Sequence, residues 1–342
     1  MRLISRKRFY SAILAVSLFL PFGTAFATGL NARPRQTNAA FQRHLEAIAS
    51  RFGGKVTLAG VDLKTGARFG IDPNRPVATA SVIKLPVMVE AFYLMKEGKL
   101  KWSQPVTETP FDRVPGSGIL QFLNPHIGLT LGDAITLMID LSDNTAANIV
   151  FQQTGIAPVN ARMPKLGLKH TKLFGYVFHA GHRSSAQAKK FGLGMTTAAD
   201  MVKLLTMIQK REIVSPAACD RMLKILGHQM DNDAFPRYTS TIPGVTWYHK
   251  TGALDAVRND VGIAQTPAGP IVLAGFAYDS PDRQWTADNA ALLVLARLGR
   301  AVLHHFLPPT TPAPATNRNG EGNSRKAKKL PANAVRLSAE RL

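Results

Sequence analysis

Ser81 and Lys84 are the first residues along the chain whose types and spacing could do chemistry. They stand at the start of an apolar stretch, Leu85 to Leu94, whose composition predicts a helix. A spacing of three places both side chains on one helical face, so the lysine amine can reach the serine hydroxyl. A nucleophile beside a base is what covalent acyl transfer requires, although common residues also produce this spacing by chance.

Two polar triplets further along the chain could complete such a site. Ser142-Asp143-Asn144 lies between two apolar helical patterns, Leu131 to Leu141 and Thr145 to Thr154. Lys250-Thr251-Gly252 lies inside the apolar strand pattern Trp247 to Leu254, where a glycine indicates close approach of a backbone or a ligand. Taken alone, the first triplet is typical of a turn and the second of a solvent-facing Lys-Thr pair on an edge strand.

In this order, the three motifs resemble the motif set of class A β-lactamases and penicillin-binding proteins. The resemblance extends from about Asn38 to Phe306 and includes two less specific segments, Gly116 to Gln121 and Thr196 to Met201. It implies an α+β fold of the β-lactamase/transpeptidase type, with an antiparallel five-stranded sheet built from both chain ends, flanking helices and an inserted all-helical lobe. It implies no metal and no organic cofactor.

The resemblance also implies catalytic roles. Ser81 would attack the acyl carbon, and the backbone N–H groups of Ser81 and Ala253 would form the oxyanion hole. Ser142 and Lys84 would move the proton to the leaving nitrogen. Lys250 would lower the pKa of Lys84, because a neighbouring like charge disfavours the protonated form, and a neutral Lys84 could then act as the base.

The residues implied in substrate binding belong mainly to the second and third motifs. Asn144 would bind the side-chain amide of the substrate, while Thr251 and Lys250 would hold its carboxylate beside Gly252. Arg258, eight positions beyond Lys250, is a further candidate for binding the carboxylate. An ordinary charge at the end of a strand is an equally good interpretation of Arg258.

One carboxylate that the resemblance implies is missing. Class A enzymes activate the deacylating water with a loop glutamate, whereas this chain has no Asp or Glu between Asp143 and Asp200. We therefore expect slow deacylation. His170, His179 or His182 could activate water instead, but ordinary loop histidines are the more frequent case. His179 and His182 also have no acidic or thiol partner nearby that would complete a zinc site.

The elements that must position these residues come from both ends of the chain. The N-terminal part predicts a helix near Asn38 to Arg51, then strands at Val56 to Leu63 and Arg68 to Ile71. The C-terminal part predicts three strands and a long amphipathic helix, at Thr246 to Ala253, Asn259 to Gln265, Ile271 to Tyr278 and about Trp285 to Phe306. The segment between them, Ser81 to about Met230, is mostly helical in period and predicts the inserted lobe.

The two ends of the chain predict export. Residues 1–27 combine basic residues, a short apolar run and the small-residue site Ala25-Phe26-Ala27, which is the layout of a cleaved signal peptide. Residues 28–306 would form the catalytic domain, and residues 307–342, rich in Pro and then in Lys, a disordered tail. We therefore expect a bacterial periplasmic or secreted protein without a stable membrane anchor.

Charge and cysteine content restrict the partners. Of the formal net charge of +20, residues 1–27 carry +4 and the residues from Pro308 onward carry +5, which leaves +11 between them. Such a surface attracts anions in general, but no nucleic-acid-binding pattern accompanies it, so we expect no nucleic-acid partner. The single cysteine, Cys219, excludes an intramolecular disulfide, and we expect a monomer.

Three functions fit these observations. The first is a class A β-lactamase-like hydrolase that opens the amide of β-lactams and deacylates slowly. The second is a penicillin-binding enzyme, similar to D-Ala-D-Ala peptidases, that acts on peptidoglycan peptides. The third is a sensor that is acylated at Ser81 by a β-lactam and stays acylated.

Overall fold

The computed structural model describes residues 38–125, 127–179 and 184–307 of the 342-residue chain. The predicted signal peptide and the predicted tail beyond residue 307 lie outside the described residues, and both stay predictions. No helix within the described ranges is long and apolar enough to cross a membrane.

Five long strands form one antiparallel sheet, and five short ones pair in two smaller sheets. In chain order the strands are β1 (Lys55–Asp62), β2 (Arg68–Ile71), β3 (Val77–Ala78), β4 (Pro105–Val106), β5 (Leu129–Thr130), β6 (Lys172–Leu173), β7 (Gly194–Thr196), β8 (Thr246–Leu254), β9 (Val257–Gln265) and β10 (Ile271–Tyr278). The large sheet has the order β2-β1-β10-β9-β8, with antiparallel pairing throughout. Both chain ends therefore contribute to it, as predicted, and the strand that carries Lys250 lies at its edge.

The helices pack on both faces of this sheet and form a separate lobe beside it. In chain order they are α1 (Ala39–Ser50), α2 (Lys84–Lys96), α3 (Leu131–Asp140), α4 (Asn144–Thr154), α5 (Ile156–Lys165), α6 (Ala186–Phe191), α7 (Ala198–Gln209), α8 (Pro216–Leu226) and α9 (Ala290–Phe306). A single 3-10 turn, Ala80–Ile83, precedes α2. We call it the Ser81 turn.

Two large apolar cores follow from this arrangement, and a small third cluster of Phe174, Ala188, Phe191 and Met195 lies apart from them. The smaller core lies between one face of the sheet and the helices α1 and α9. The larger core joins the other face of the sheet to α7, α8 and the helical lobe, with α2 at its centre. Most residues of α2 are buried. A helix that is apolar on every side needs this environment, because it has no polar face to expose to water. Lys84, the first residue of α2, therefore stands on a largely buried helix.

The helix ends follow local capping chemistry. Thr130 and Asp133 form a capping box at the start of α3, in which each side chain accepts the backbone N–H of the other. The last helix begins at Ala290 rather than near Trp285, so the prediction was wrong by one turn and more. Asn289 caps α9, and the Asp282 carboxylate accepts the backbone N–H of Ala290. These bonds keep the preceding residues in a loop.

Candidate active site

Ser81 is half-buried in the Ser81 turn, directly before α2. The residue before it, Ala80, has a φ of +44°, a conformation that residues with a Cβ rarely adopt. Asn259 on β9 donates from Nδ2 to the carbonyl oxygens of Ala78 (3.0 Å) and Thr79 (3.1 Å). The sheet therefore holds the turn that presents the serine, and the serine stands before the regular helix rather than within it.

Gly252 lets the edge strand β8 approach the Ser81 turn. A Cβ at this position would lie 2.7 Å from the carbonyl oxygen of Thr79 and 3.0 Å from the backbone nitrogen of Ser81. A side chain would therefore force the strand and the turn apart. The next residue, Ala253, lines the same pocket as Ser81, so the close approach suits the predicted oxyanion hole, which needs two converging backbone N–H groups.

Lys84 is completely buried. Its Nζ donates to the carbonyl oxygen of Ser142 (2.7 Å) and to Oδ1 of Asn144 (2.8 Å), and it lies 3.4 Å from Oγ of Ser142. Burial holds the pKa of Lys84 well below its ordinary value, and the charge of Lys250 lowers it further, while Asp143 opposes both effects. The sequence predicted the effect of Lys250, but burial is the larger cause.

Lys250 is also completely buried, on the other side of Ser142. Its Nζ donates to Oγ of Ser142 (3.0 Å) and to the carbonyl oxygen of Thr251 (2.9 Å). Burial lowers the pKa of Lys250 to about 8, although the negative charges of Asp231, Asp260 and Asp140 act in the opposite direction. The hydroxyl of Ser142 thus lies between two lysine amines, which is the position that a proton relay needs.

The second motif is held by hydrogen bonds at every position. Ser142 has a φ of +53°. The side-chain amide of Asn144 accepts from Lys84 and donates to the carbonyl oxygen of Pro115 (3.0 Å) while it lines the pocket. A substrate amide that binds Asn144 would have to share or replace these partners.

Asp143 has a positioning role that the sequence analysis missed. Its Oδ2 accepts the backbone N–H groups of Ile119 (2.7 Å) and Leu120 (2.9 Å), and its Oδ1 accepts that of Ala146 (2.9 Å) at the start of α4. The carboxylate therefore ties the loop before the motif to the helix after it. An Asp directly before an apolar helix is typical of an N-cap, so the bond to Ala146 could have been predicted from the sequence. The bonds to Ile119 and Leu120 could not, because they join segments that are distant along the chain.

An open pocket of about 890 Å³ lies over these groups. Ser81, Ser142, Asn144, Thr251 and Gly252 line it, whereas Lys84 and Lys250 lie beneath its surface. Four exposed apolar side chains that the sequence did not single out also line it: Phe178 (59% exposed), Met230 (70%), Leu254 (43%) and Trp285 (65%). Large apolar side chains exposed around one pocket indicate that it binds a partly apolar ligand.

Arg258 is occupied by contacts inside the protein. Its guanidinium donates to the carbonyl oxygens of Leu254, Val257 (2.9 Å) and Gln284 (2.9 Å), and it lies 4.4 Å from the centre of the Trp285 ring. Only 4% of Arg258 is exposed. It supports the wall that Leu254 and Trp285 form, and binding a carboxylate directly would require it to exchange these bonds.

The segment between Asp143 and Asp200, which contains no Asp or Glu, lines the pocket with Val177 and Phe178 as well as with Asn144, Gly192 and Leu193. Asn148 on α4 fixes the backbone of Val177 from both sides: Oδ1 accepts its N–H (2.8 Å) and Nδ2 donates to its carbonyl oxygen (3.2 Å). Among the described lining residues, the carboxylates are Asp140 and Asp231, and neither belongs to the segment between Asp143 and Asp200. Burial raises the pKa of Asp140 to about 6.

The two loop histidines that the structure describes, His170 and His179, do not line this pocket. His179 stacks on Phe111 with ring centres 3.9 Å apart, and its Nε2 contacts the Phe111 carbonyl oxygen at 2.9 Å. His170 is exposed, and its backbone N–H donates to Asp200. His182 lies outside the described residues. Neither of the two described histidines lines the pocket, which favours the structural interpretation of both.

Comparisons with known proteins agree with this geometry. A family model described as the beta-lactamase enzyme family matches residues 40–306. A β-lactamase from Sphaerobacter thermophilus has a similar structure, with a TM-score of 0.71 and 28% identity over 80% of this chain and 100% of that one. A point mutant of PBP-A, solved as an acyl-enzyme complex with penicillin G, has a TM-score of 0.70 and 26% identity over 80% and 98%. The β-lactamase regulatory protein BlaB of Streptomyces cacaoi is 23% identical over 64% of this chain and 82% of its own.

Proposed function

The chain belongs to the beta-lactamase enzyme family, and we propose that it is a class A-type serine hydrolase that is acylated at Ser81 by β-lactams. The observation that carries this proposal is the position of the Ser142 hydroxyl between Lys84 and Lys250, beside a half-buried Ser81 in an open pocket. A serine, a base with a lowered pKa and a proton relay are the components of nucleophilic acyl transfer.

Acylation follows from these groups. Neutral Lys84 takes the proton of the Ser81 hydroxyl, and the serine oxygen attacks the carbonyl carbon of the lactam. The oxyanion of the tetrahedral intermediate accepts hydrogen bonds from the backbone N–H groups of Ser81 and Ala253. The C–N bond then breaks, and Ser142 passes a proton to the leaving nitrogen. Thr251 and the Lys250 ammonium attract the substrate carboxylate.

Deacylation is the slower step in this proposal. It requires a base that removes a proton from water as the water attacks the acyl carbon. Among the described residues between Asp143 and Asp200, those that line the pocket include no such group: Asn144, Val177, Phe178, Gly192 and Leu193. We therefore propose that the acyl-enzyme accumulates, and that any sustained turnover depends on Asp140 or another group outside the loop.

Two other functions are supported by particular observations. The apolar loop surface and the similarity to a β-lactamase regulatory protein favour a sensor that stays acylated. The similarity to PBP-A favours a penicillin-binding enzyme on peptidoglycan peptides, with the same acylation chemistry. Turnover of a D-Ala-D-Ala peptide would distinguish that enzyme from the other two.

The deciding experiment mixes the purified protein with a chromogenic cephalosporin and follows colour release together with intact mass. We expect a burst of about one equivalent, a mass adduct and slow turnover, all absent from Ser81→Ala. Fast turnover that is lost in Asp140→Asn would identify a β-lactamase with a different base. The absence of any adduct on the wild-type protein would overturn acylation at Ser81.

We also propose that the protein is exported to the periplasm or beyond, with cleavage after Ala27, and that it acts as a monomer without metal or cofactor. Amino-terminal sequencing of protein from the cell envelope fraction tests the cleavage site. A mature chain that starts at Met1 would contradict export by this route.

A further inference from the structure

A second pocket, of about 920 Å³, lies between α1 and α9 and shares no lining residue with the site of Ser81. Its walls are mainly two helix faces, and Tyr238 lines it as well. Phe41, His44 and Ile48 line it from α1, and residues spaced by three and four positions line it from α9. We call it the α1/α9 pocket.

The polar groups of this pocket are nearly all basic. Arg297, Arg300 and His304 project from α9, His44 faces them from α1, and His305 lies beside them. Within the described part of the chain, no carboxylate lines the pocket. Arg297 and Arg300 are like charges three positions apart on one helix and repel each other, so an anion bound between them would relieve that repulsion. Arg300 also donates from Nε to Nε2 of His304 (3.4 Å).

The helix dipole explains basic residues at the end of α9, but it does not explain the position of both arginines. His304 and His305 stand in the last turn of α9, where a positive charge is favoured by the helix dipole. That effect fades within one turn of the helix end, whereas Arg297 stands nine positions before the last helical residue, Phe306. The helix dipole therefore does not account for a basic stripe that extends along the groove.

The floor of the pocket is apolar. Phe41 stacks on the ring of His305 with ring centres 3.8 Å apart, and Ile48 and Ala301 lie in the same lining. A guanidinium pair matches the oxygens of a phosphate group in charge and geometry, and an apolar floor beside it suits a ligand that also has an apolar portion.

We propose that the α1/α9 pocket binds a phosphate group that is attached to an apolar portion, as in a phospholipid. Arg297 and Arg300 hold the phosphate, His44 donates a further hydrogen bond, and Ile48 and Ala301 contact the apolar portion. This site is independent of catalysis at Ser81.

The test measures binding of three probes to the purified protein: inorganic pyrophosphate, a short-chain phosphatidylglycerol below its micelle concentration, and phosphatidylglycerol vesicles. The double variant Arg297→Gln/Arg300→Gln should lose affinity about tenfold or more for the short-chain lipid, because two charge-assisted contacts are removed. The matched control is Arg43→Gln, a charge on the exposed part of α1 that does not line the pocket.

The three probes separate the sources of the phosphate. Tight binding of the short-chain lipid and the vesicles, with weak binding of pyrophosphate, supports a lipid ligand. Equal binding of pyrophosphate supports a free phosphate and overturns the role of the apolar floor. Binding of any probe that falls as much in Arg43→Gln as in the double variant would show general attraction to a basic surface and would overturn the site, as would no binding at all.

Discussion

The charge of Lys250 makes substrate affinity depend on pH. With a pKa of about 8, Lys250 is an ammonium at lower pH and a neutral amine at higher pH, so its attraction for a substrate carboxylate is lost as pH rises through about 8. We expect the second-order rate of Ser81 acylation by a carboxylate-bearing β-lactam to fall between about pH 7.5 and 9.5. Stopped-flow measurements across this range test it.

The controls for this pH dependence change one charge at a time. Lys250→Arg should keep its charge over the whole range, because a guanidinium is not deprotonated there, and should lose the decline. A β-lactam whose carboxylate is esterified should show little decline with the wild-type protein. An equal decline for the ester would assign the effect to another group.

Val177 is the residue at which a carboxylate could restore deacylation. Its side chain lines the pocket, it is 7% exposed, and Asn148 fixes its backbone on both sides. Val177→Glu should therefore shorten the lifetime of the acyl-enzyme by about 10²-fold, which is the low end of what general base catalysis contributes. Intact mass over time measures the lifetime.

Val177→Gln is the matched control for this change, since it has the same length and hydrogen-bonding oxygen but no base. The two variants should differ strongly, and the effect of Val177→Glu should disappear as pH falls and its carboxylate is protonated. Equal lifetimes for the Glu and Gln variants would show that the acyl carbon is not accessible from this loop.

Arg258 acts on substrate selection through Trp285. Because its guanidinium holds the Gln284 carbonyl oxygen and the Trp285 ring, Arg258→Lys keeps a charge but loses the planar contacts. We expect the preference for benzylpenicillin over 6-aminopenicillanic acid, which has no acyl side chain, to fall several-fold in acylation rate. The control is Tyr238→Ala, an exposed aromatic that lines the α1/α9 pocket but not the pocket of Ser81, and it should leave the ratio unchanged. A reduction of both rates by the same factor in Arg258→Lys would contradict selection.

At the scale of elements, the contact between β8 and the Ser81 turn sets the geometry of the predicted oxyanion hole. Gly252→Ala adds a methyl group 2.7 Å from the Thr79 carbonyl oxygen, so the strand must move away. Loss of one oxyanion donor costs about 10²–10³-fold in rate, and we expect an acylation defect of that order with little change in the midpoint of thermal unfolding.

Gly128→Ala is the matched control for this substitution. A Cβ at Gly128 meets no atom within 4 Å, and the residue does not have a positive φ. It should acylate at the wild-type rate. If Gly252→Ala also acylates normally, the spacing between β8 and the Ser81 turn does not control catalysis.

The sequence predicts those elements that local pattern determines. The five long strands and the helices α1, α3 and α4 match alternation, helical period and capping residues such as Thr130. The start of α9 was missed because the apolar Trp285 suggests a helix, whereas the structure places it in a loop against Arg258. Arg258 shows why sequence pattern does not predict every contact. Its guanidinium binds the carbonyl oxygen of Leu254 in its own hairpin and that of Gln284, which is more than 20 residues away. Spacing along the sequence does not reveal such a partner.

In the active site, too, the sequence predicts what local motifs determine and does not predict what tertiary packing assembles. The three motifs were found because their residue types and order are characteristic, and the structure brings Lys84, Ser142 and Lys250 together. The pocket wall was not predicted, because Phe178, Met230 and Trp285 follow no common spacing and are assembled only by tertiary packing. Exposure of apolar side chains can be recognised only once the fold is known.

At the scale of the whole molecule, the lowered pKa of Lys250 predicts a cost in folding stability. Lys250 is fully buried, and its pKa of about 8 lies below the ordinary value of 10.5, so the unfolded chain binds a proton more tightly than the folded protein does. The cost is fully present below about pH 8 and disappears as pH rises towards 10.5, because the proton is then lost in both states. This difference in pKa corresponds to roughly 3 kcal/mol at neutral pH.

Lys250→Met should therefore unfold at a higher temperature than the wild-type protein at pH 7, while its acylation rate falls sharply. Methionine fills a similar volume without a charge, and removing about 3 kcal/mol of cost raises the unfolding midpoint by several degrees in a domain of this size. Calorimetry at pH 7 and pH 10 measures both midpoints, and the advantage of the variant should shrink at pH 10, where the wild-type lysine is neutral. A variant that is less stable at pH 7 would show that the hydrogen bonds of Lys250 to Ser142 and Thr251 outweigh the cost of burying its charge.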